Sequence, residues 1–206
     1  MEKIIARELE KLYCSLAEVF NGSNEIDVIA KQTLLHASQQ SSPNINTGTP
    51  LPQPMLDVMV ASDAHKVCAL IKKIAFNWAP PETSTDPLYI AHSSKKLHVE
   101  LIGPNGLTAS DKVRIGLYGI MPNAEYGIRT HAAEETFKML AGEAYWMRED
   151  KQYKLSRPGD ESYHPSLMPH ATKTGAKAFM SAYIWVGDIS TDSYQYRGLP
   201  EGQNRL

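Results

Sequence analysis

The sequence predicts a mainly β protein: a barrel or sandwich of short strands with a helical segment in front of it. Two textures in the chain lead to this. Apolar residues recur at spacings of three and four through residues 1–87, while residues 88–206 carry short alternating runs separated by turn signals. The expected division is a helical segment over 1–87, with a flexible strap at 38–54, and a β barrel over 88–206.

Taken in order, Ile5, Leu9, Leu12, Leu16, Val19 and Phe20 form the buried stripe of a first helix. Asn21-Gly22-Ser23-Asn24 ends it, because Gly and Asn tolerate the left-handed conformation after a helix. A second helix is expected over Glu25–His36, with Ile26, Ile29, Ala30, Leu34 and Leu35 inward. The Ser-, Gln-, Asn- and Pro-rich strap offers little worth burying. A third helix is expected over Met55–Ala75, stopped by Ala79-Pro80-Pro81, since proline removes a donor and restricts the residue before it. Trp78 is placed to help close this segment over the barrel. Strands then read at His98–Ile102, Val113–Tyr118, Phe137–Leu140, Ala144–Met147 and Phe179–Val186.

Composition narrows the function. A chain of 206 residues holds one ordinary domain, or one domain with an attached helical segment. Its net charge of −2, without any Lys/Arg stripe, gives no electrostatic case for nucleic acid. Cys14 and Cys68 lie far apart in apolar helical patterns and read as buried, reduced thiols, which places the protein in the cytoplasm by default. Met1–Glu10 lacks the apolar core of a secretory signal, and no apolar run reaches the ~18 residues that span a bilayer, so no membrane partner is expected.

The chemistry concentrates in Tyr126–Gly142, read with Gly159–His170. Arg129, His131, Glu135 and Phe137 share parity, so one unbroken strand would aim them all at one face. A turn at Ala132-Ala133-Glu134 would break that alignment. A His and a Glu four apart also fit a plain surface pair, so this spacing alone leaves a metal site and a bland pair both open.

The second segment supplies a resemblance. The cupin superfamily carries a first motif G-x5-H-x-H-x3,4-E-x6-G, and His131-x3-Glu135-x6-Gly142 matches its second half. The second motif, G-x5-P-x-G-x2-H-x3-N, is matched by Gly159-x5-Pro165-x4-His170, with Leu167 and Thr174 replacing the internal Gly and the Asn. The fold implied is a cupin: a double-stranded β-helix, or jelly-roll barrel, behind the N-terminal helices.

Over Leu97–Ile189 the chain resembles more closely the cupin-type dimethylsulfoniopropionate (DMSP) lyases. Runs such as Val99–Pro104, Arg114–Leu117, Leu140–Trp146, Pro158-Gly159-Asp160, His164-Pro165-Ser166 and Trp185–Ile189 carry it. The resemblance implies one divalent transition metal (Zn, Fe, Mn, Co or Ni) on His131, Glu135 and His170. It also implies a carbon–sulfur lyase acting on a small carboxylate: the metal engages the substrate carboxylate, a tyrosine removes the adjacent proton, and β-elimination gives acrylate and dimethyl sulfide. The fold also implies a homodimer by analogy.

Two positions depart from the family. Arg129 replaces the first His of the H-x-H pair and cannot ligate a metal, so it either holds a substrate carboxylate through its fork or turns to solvent. Phe137 stands where the family often has a tyrosine; Tyr126, five residues before His131, matches another tyrosine position of the family, and the resemblance makes it the expected base. Tyr118, Trp146 and Trp185 join Arg129 and Phe137 as expected substrate-contacting residues, with barrel core as their alternative role. His164, just before Pro165, could face the site, but a loop histidine with a local hydrogen bond is the expected reading. The departures keep two other functions open: a related cupin acting on another small carboxylate, and a non-catalytic cupin that binds a small molecule.

Overall fold

Leu9, Leu12, Leu16 and Phe20 lie on one side of helix α1 (Glu2–Val19) and are wholly buried, so the apolar stripe is the face that packs. The computed structural model describes residues 2–40, 48–79, 83–149 and 152–200. Helix α2 (Glu25–Ser38) lies against α1 and starts at Asn24, whose side chain accepts from Asp27 N at 2.8 Å. The Asp27 carboxylate in turn accepts from Gly22 N and from Lys138 Nζ, each at 2.8 Å, and so fixes the helical pair to the sheet behind it.

The long helix expected over Met55–Ala75 is instead two short ones, α3 (Gln53–Met59) and α4 (Cys68–Ile71). Between them His65 N turns away to bond Leu140 O at 2.7 Å, and Val67 N bonds the His65 ring, so tertiary partners replace the helical ladder. A further helix, α5 (Pro87–Ser93), opens with Asp86 accepting from Leu88 N and Tyr89 N and with proline in its first turn. Cys68 is buried as expected, but Cys14 is exposed, on the side of α1 away from its stripe. Residues 41–47 of the strap, and Pro80-Pro81, lie outside the described residues.

The remaining elements are β1 (Lys96–Gly103), β2 (Thr108–Ala109), β3 (Arg114–Ile120), β4 (Glu125–Thr130), β5 (Glu134–Gly142), β6 (Ala144–Arg148), β7 (Lys154–Ser156), β8 (Glu161–His164), β9 (His170–Lys173), β10 (Phe179–Val186) and β11 (Gln195–Gly198). They form a six-stranded sheet, ordered β2-β1-β3-β10-β5-β8, and a five-stranded sheet, ordered β11-β4-β9-β6-β7. This is the cupin barrel with N-terminal helices.

Strand alternation divides the apolar residues between two cores. Ile115 and Leu117 on β3, and Met180, Ala182 and Ile184 on β10, pack with the helices. Their neighbours Tyr118, Ile120, Phe179, Tyr183 and Trp185 pack inside the barrel. Strand β10 is therefore covered on both faces, which is why it reads as a nearly unbroken apolar run. Gly142, the last residue of the first motif, has φ 73°, and any side chain there would run into the Ala178 carbonyl.

Candidate metal centre

Register brings the site together. Glu135 on β5 lies opposite Trp185 on β10 and opposite His164 on β8, so three side chains from adjacent strands meet on one face. On the other sheet Arg129 of β4 lies opposite His170 of β9. His131 follows the end of β4, in the turn that leads into β5. The chain therefore breaks between His131 and Glu135, and two strands, not one, aim these residues inward.

His131, Glu135 and His170 offer ligand atoms within 4.8 Å of one another, and all three residues are buried. Glu135 Oε2 stands 3.4 Å from His131 Nε2 and 3.3 Å from His170 Nε2. The far nitrogens are committed elsewhere: His131 Nδ1 bonds Ala133 O at 3.0 Å and His170 Nδ1 bonds Met168 O at 2.9 Å. A carbonyl only accepts, so each Nδ1 carries the proton and each Nε2 presents a lone pair. Both Nε2 atoms are buried without a hydrogen-bond partner. Burial, with Arg129 and His164 nearby, holds His170 well below the usual histidine range and so keeps it neutral.

Glu135 is positioned by its neighbours. Trp185 Nε1 donates to Oε1 at 2.5 Å, and His164 Nδ1 reaches Oε2 at 3.3 Å while Ser162 Oγ pairs with His164 Nε2 at 2.9 Å. Two imidazole lone pairs and one carboxylate oxygen, each oriented from behind, are the donor set of a divalent transition metal with open positions left over. The residues present thus fit the group.

A cavity of about 70 Å³ adjoins this cluster. Tyr118, Tyr126, Arg129, Phe137 and Trp185 line it together with Glu135. Trp146 does not: it packs behind the wall, 4.5 Å from Phe137 and 5.3 Å from His164 between ring centroids. Trp185 also differs from a free aromatic wall, because His131 stacks on it at 4.2 Å. Arg129 is turned inward and buried, not swung to solvent. Its Nη2 donates to Thr172 Oγ1 at 3.2 Å, and its guanidinium lies 4.3 Å from the Tyr126 ring centroid. The Tyr126 hydroxyl bonds the Tyr194 hydroxyl, and burial raises the Tyr126 phenol well above its ordinary value.

Tyr194 and Lys96 escaped the sequence reading, and His164 takes the less expected of its two roles. His164 is not a loop residue: it ends β8, fully buried against Glu135. Tyr194 lies past the last recognisable motif, near β11. Lys96 sits one strand position from a run that alternates cleanly. Val99 and Leu101 face the helices, so the even positions Lys96, His98 and Glu100 fall on the barrel side, and that parity was the available signal.

The family model for dimethylsulfoniopropionate lyase matches residues 30–181. This chain belongs to that family. A dimethylsulfoniopropionate lyase, DddQ from Ruegeria pomeroyi, is 38% identical over 91 residues, which cover 44% of this chain and 45% of that protein. The crystal structure of DddQ from Ruegeria pomeroyi DSS-3 superposes with a TM-score of 0.58 at 24% identity, over 87% of this chain and 96% of that one. A structure from a study of the DMSP lyases RdDddP and RnDddQII gives 0.64 at 16% identity, over 96% and 100%. At these identities the superpositions establish the shared fold. No helix among the described residues is long and apolar enough to cross a membrane.

Proposed function

We propose that this chain is a metal-dependent lyase that cleaves DMSP to dimethyl sulfide and acrylate. The observation that carries the reading is a metal-ready His131–Glu135–His170 cluster that meets, through Glu135, the same small cavity as the Tyr126 phenol, in a chain of the DMSP lyase family. A divalent ion held by those three residues would draw charge from the substrate carboxylate and make the adjacent C–H more acidic.

Tyr126 serves as the base. Its phenolate takes the proton from the carbon beside the carboxylate, and the C–H electron pair becomes the new C=C bond. The C–S bond breaks with its pair on sulfur, so the sulfonium leaves as neutral dimethyl sulfide and acrylate remains. Burial opposes the phenolate, while the guanidinium of Arg129 over the ring favours it. Tyr194 holds the Tyr126 hydroxyl in place and offers an acceptor through which its proton departs. Phe137 and Tyr118 supply aromatic surface for the sulfonium end.

Purified protein supplied with Fe, Mn, Co, Ni or Zn should release dimethyl sulfide and acrylate in equal amounts. Tyr126→Phe should retain its metal and lose ~10²–10⁴-fold in kcat. Metal-loaded protein that yields neither product would remove the reading. Phe137 supports a second one, a lyase for another small carboxylate, because the cavity wall lacks a hydroxyl at that position. A panel of β-substituted propionates separates the two.

A further inference from the structure

Arg129 is a buried cation without an acidic partner. It is 3% exposed, and among the described residues no carboxylate lies within 4.0 Å of its guanidinium. Its contacts are weak for so costly a group: Thr172 Oγ1 at 3.2 Å and the Gly127 carbonyl at 3.5 Å. Lys96 lies on the other side of this corner. It is 1% exposed, its Nζ has no hydrogen-bond partner, and it lies 3.2 Å from the centroid of the same Tyr126 ring that Arg129 covers.

Two carboxylates line this cavity: Glu100 is paired with Arg114 at 2.7 Å, and the Glu135 oxygens are directed at Trp185 and the histidines, so neither serves Arg129. A divalent ion would make the region more positive still. The interior therefore favours an anion that no described residue supplies to Arg129. Arg129 lines the cavity beside Glu135, and the cavity of about 70 Å³ limits that anion to a few heavy atoms. Its guanidinium fork matches a carboxylate in two-point geometry.

We infer that Arg129 is a carboxylate anchor that works independently of the metal. It rests on the lyase reading only in that the carboxylate would be the substrate's. Arg129 thereby fixes which end of a small zwitterion enters first, since a sulfonium or ammonium group is repelled from that corner and left to the aromatic wall of Tyr118 and Phe137. The consequence for specificity is that a neutral amide isostere is rejected even when no metal is bound.

The test uses the full chain freed of metal by a chelator. Acrylate and propionate, against acrylamide and propionamide, are titrated by calorimetry and by tryptophan fluorescence. The expected result is saturable binding of the acids, at least tenfold tighter than the amides. Arg129→Gln should erase that preference and Arg129→Lys should restore part of it. Thr172→Val, which removes the hydroxyl that steadies Nη2 while keeping the strand's shape, should weaken the acids severalfold and leave the amides unchanged; it decides the matter if Arg129→Gln does not fold. Equal binding of acids and amides, no binding of the acids to metal-free protein, or an unchanged preference in folded Arg129→Gln would each overturn the inference. Acid selectivity through Arg129 in a protein that releases no dimethyl sulfide would keep the anchor and discard the lyase. Turnover of DMSP with an unaltered KM in Arg129→Gln would do the reverse.

Discussion

Trp185 Nε1 donates to Glu135 Oε1 at 2.5 Å from the strand position directly opposite, so one indole fixes the free oxygen of the carboxylate in the metal cluster. Replacing Trp185 by Phe keeps a ring for His131 to stack on but removes the donor. Metal affinity, measured by chelator competition, should fall 10–100-fold, the usual effect of losing a group behind a ligand. Because Oε1 is also left buried and unpaired, unfolding should become easier by ~1–3 kcal/mol.

The three histidines should separate by their roles. His131→Ala and His170→Ala each remove a lone pair aimed at the centre, and both proteins should purify with sub-stoichiometric metal by elemental analysis. His164→Ala should still bind a full equivalent with weakened affinity, because His164 addresses the carboxylate from behind. If His164→Ala empties the site as completely as His170→Ala does, the three-ligand assignment is wrong.

Leu167 occupies the place of the motif's internal glycine and has φ 61°, a conformation that costs an L side chain ~1–2 kcal/mol. Its side chain is 57% exposed, so little packing would be lost on truncation. Leu167→Gly should raise stability by ~0.5–1 kcal/mol, after the extra freedom glycine gives the unfolded chain. The backbone bond from Leu167 N to His131 O, 2.8 Å, should persist, so metal content should not change.

Lys96 predicts a pH dependence. Burial, reinforced by Arg129, depresses its ammonium well below 10.5 in the folded protein. The unfolded chain binds that proton at pH values where the folded chain resists it, so stability is greatest above the unfolded value and falls as pH drops toward the folded one. Denaturant melts between pH 10 and pH 7 should show this slope. Lys96→Met should flatten it and raise the melting temperature at pH 7; a Lys96→Met protein that is less stable at pH 7 would contradict the buried, unpaired state.

Much of this was legible in the chain. Period-three-and-four spacing marked α1 and α2, alternation marked β1 and β3, and a nearly unbroken apolar run marked β10, because each element exposes one polar side or meets two distinct cores. The motif spacings singled out His131, Glu135 and His170 before any coordinates. What escaped was set by tertiary partners. The helix through residues 60–67 gives way to a bond with Leu140, which no local pattern announces. Strands β7, β8 and β9 are three or four residues long, too short to show a period. His164 and Tyr194 gained their meaning only from the residues across from them, Glu135 and Tyr126.

Strand β10 has a wider consequence. Met180, Ala182 and Ile184 lie in the core shared with the helices, while Tyr183 and Trp185, their immediate neighbours, wall the cavity, and Trp185 grips Glu135. A pleated ribbon cannot shift one of its sides and leave the other at rest. The N-terminal helices are thus a mould that sets the depth of the cavity, and a bulkier residue at Ala182, outside the barrel interior, would be felt as a displaced indole at Glu135.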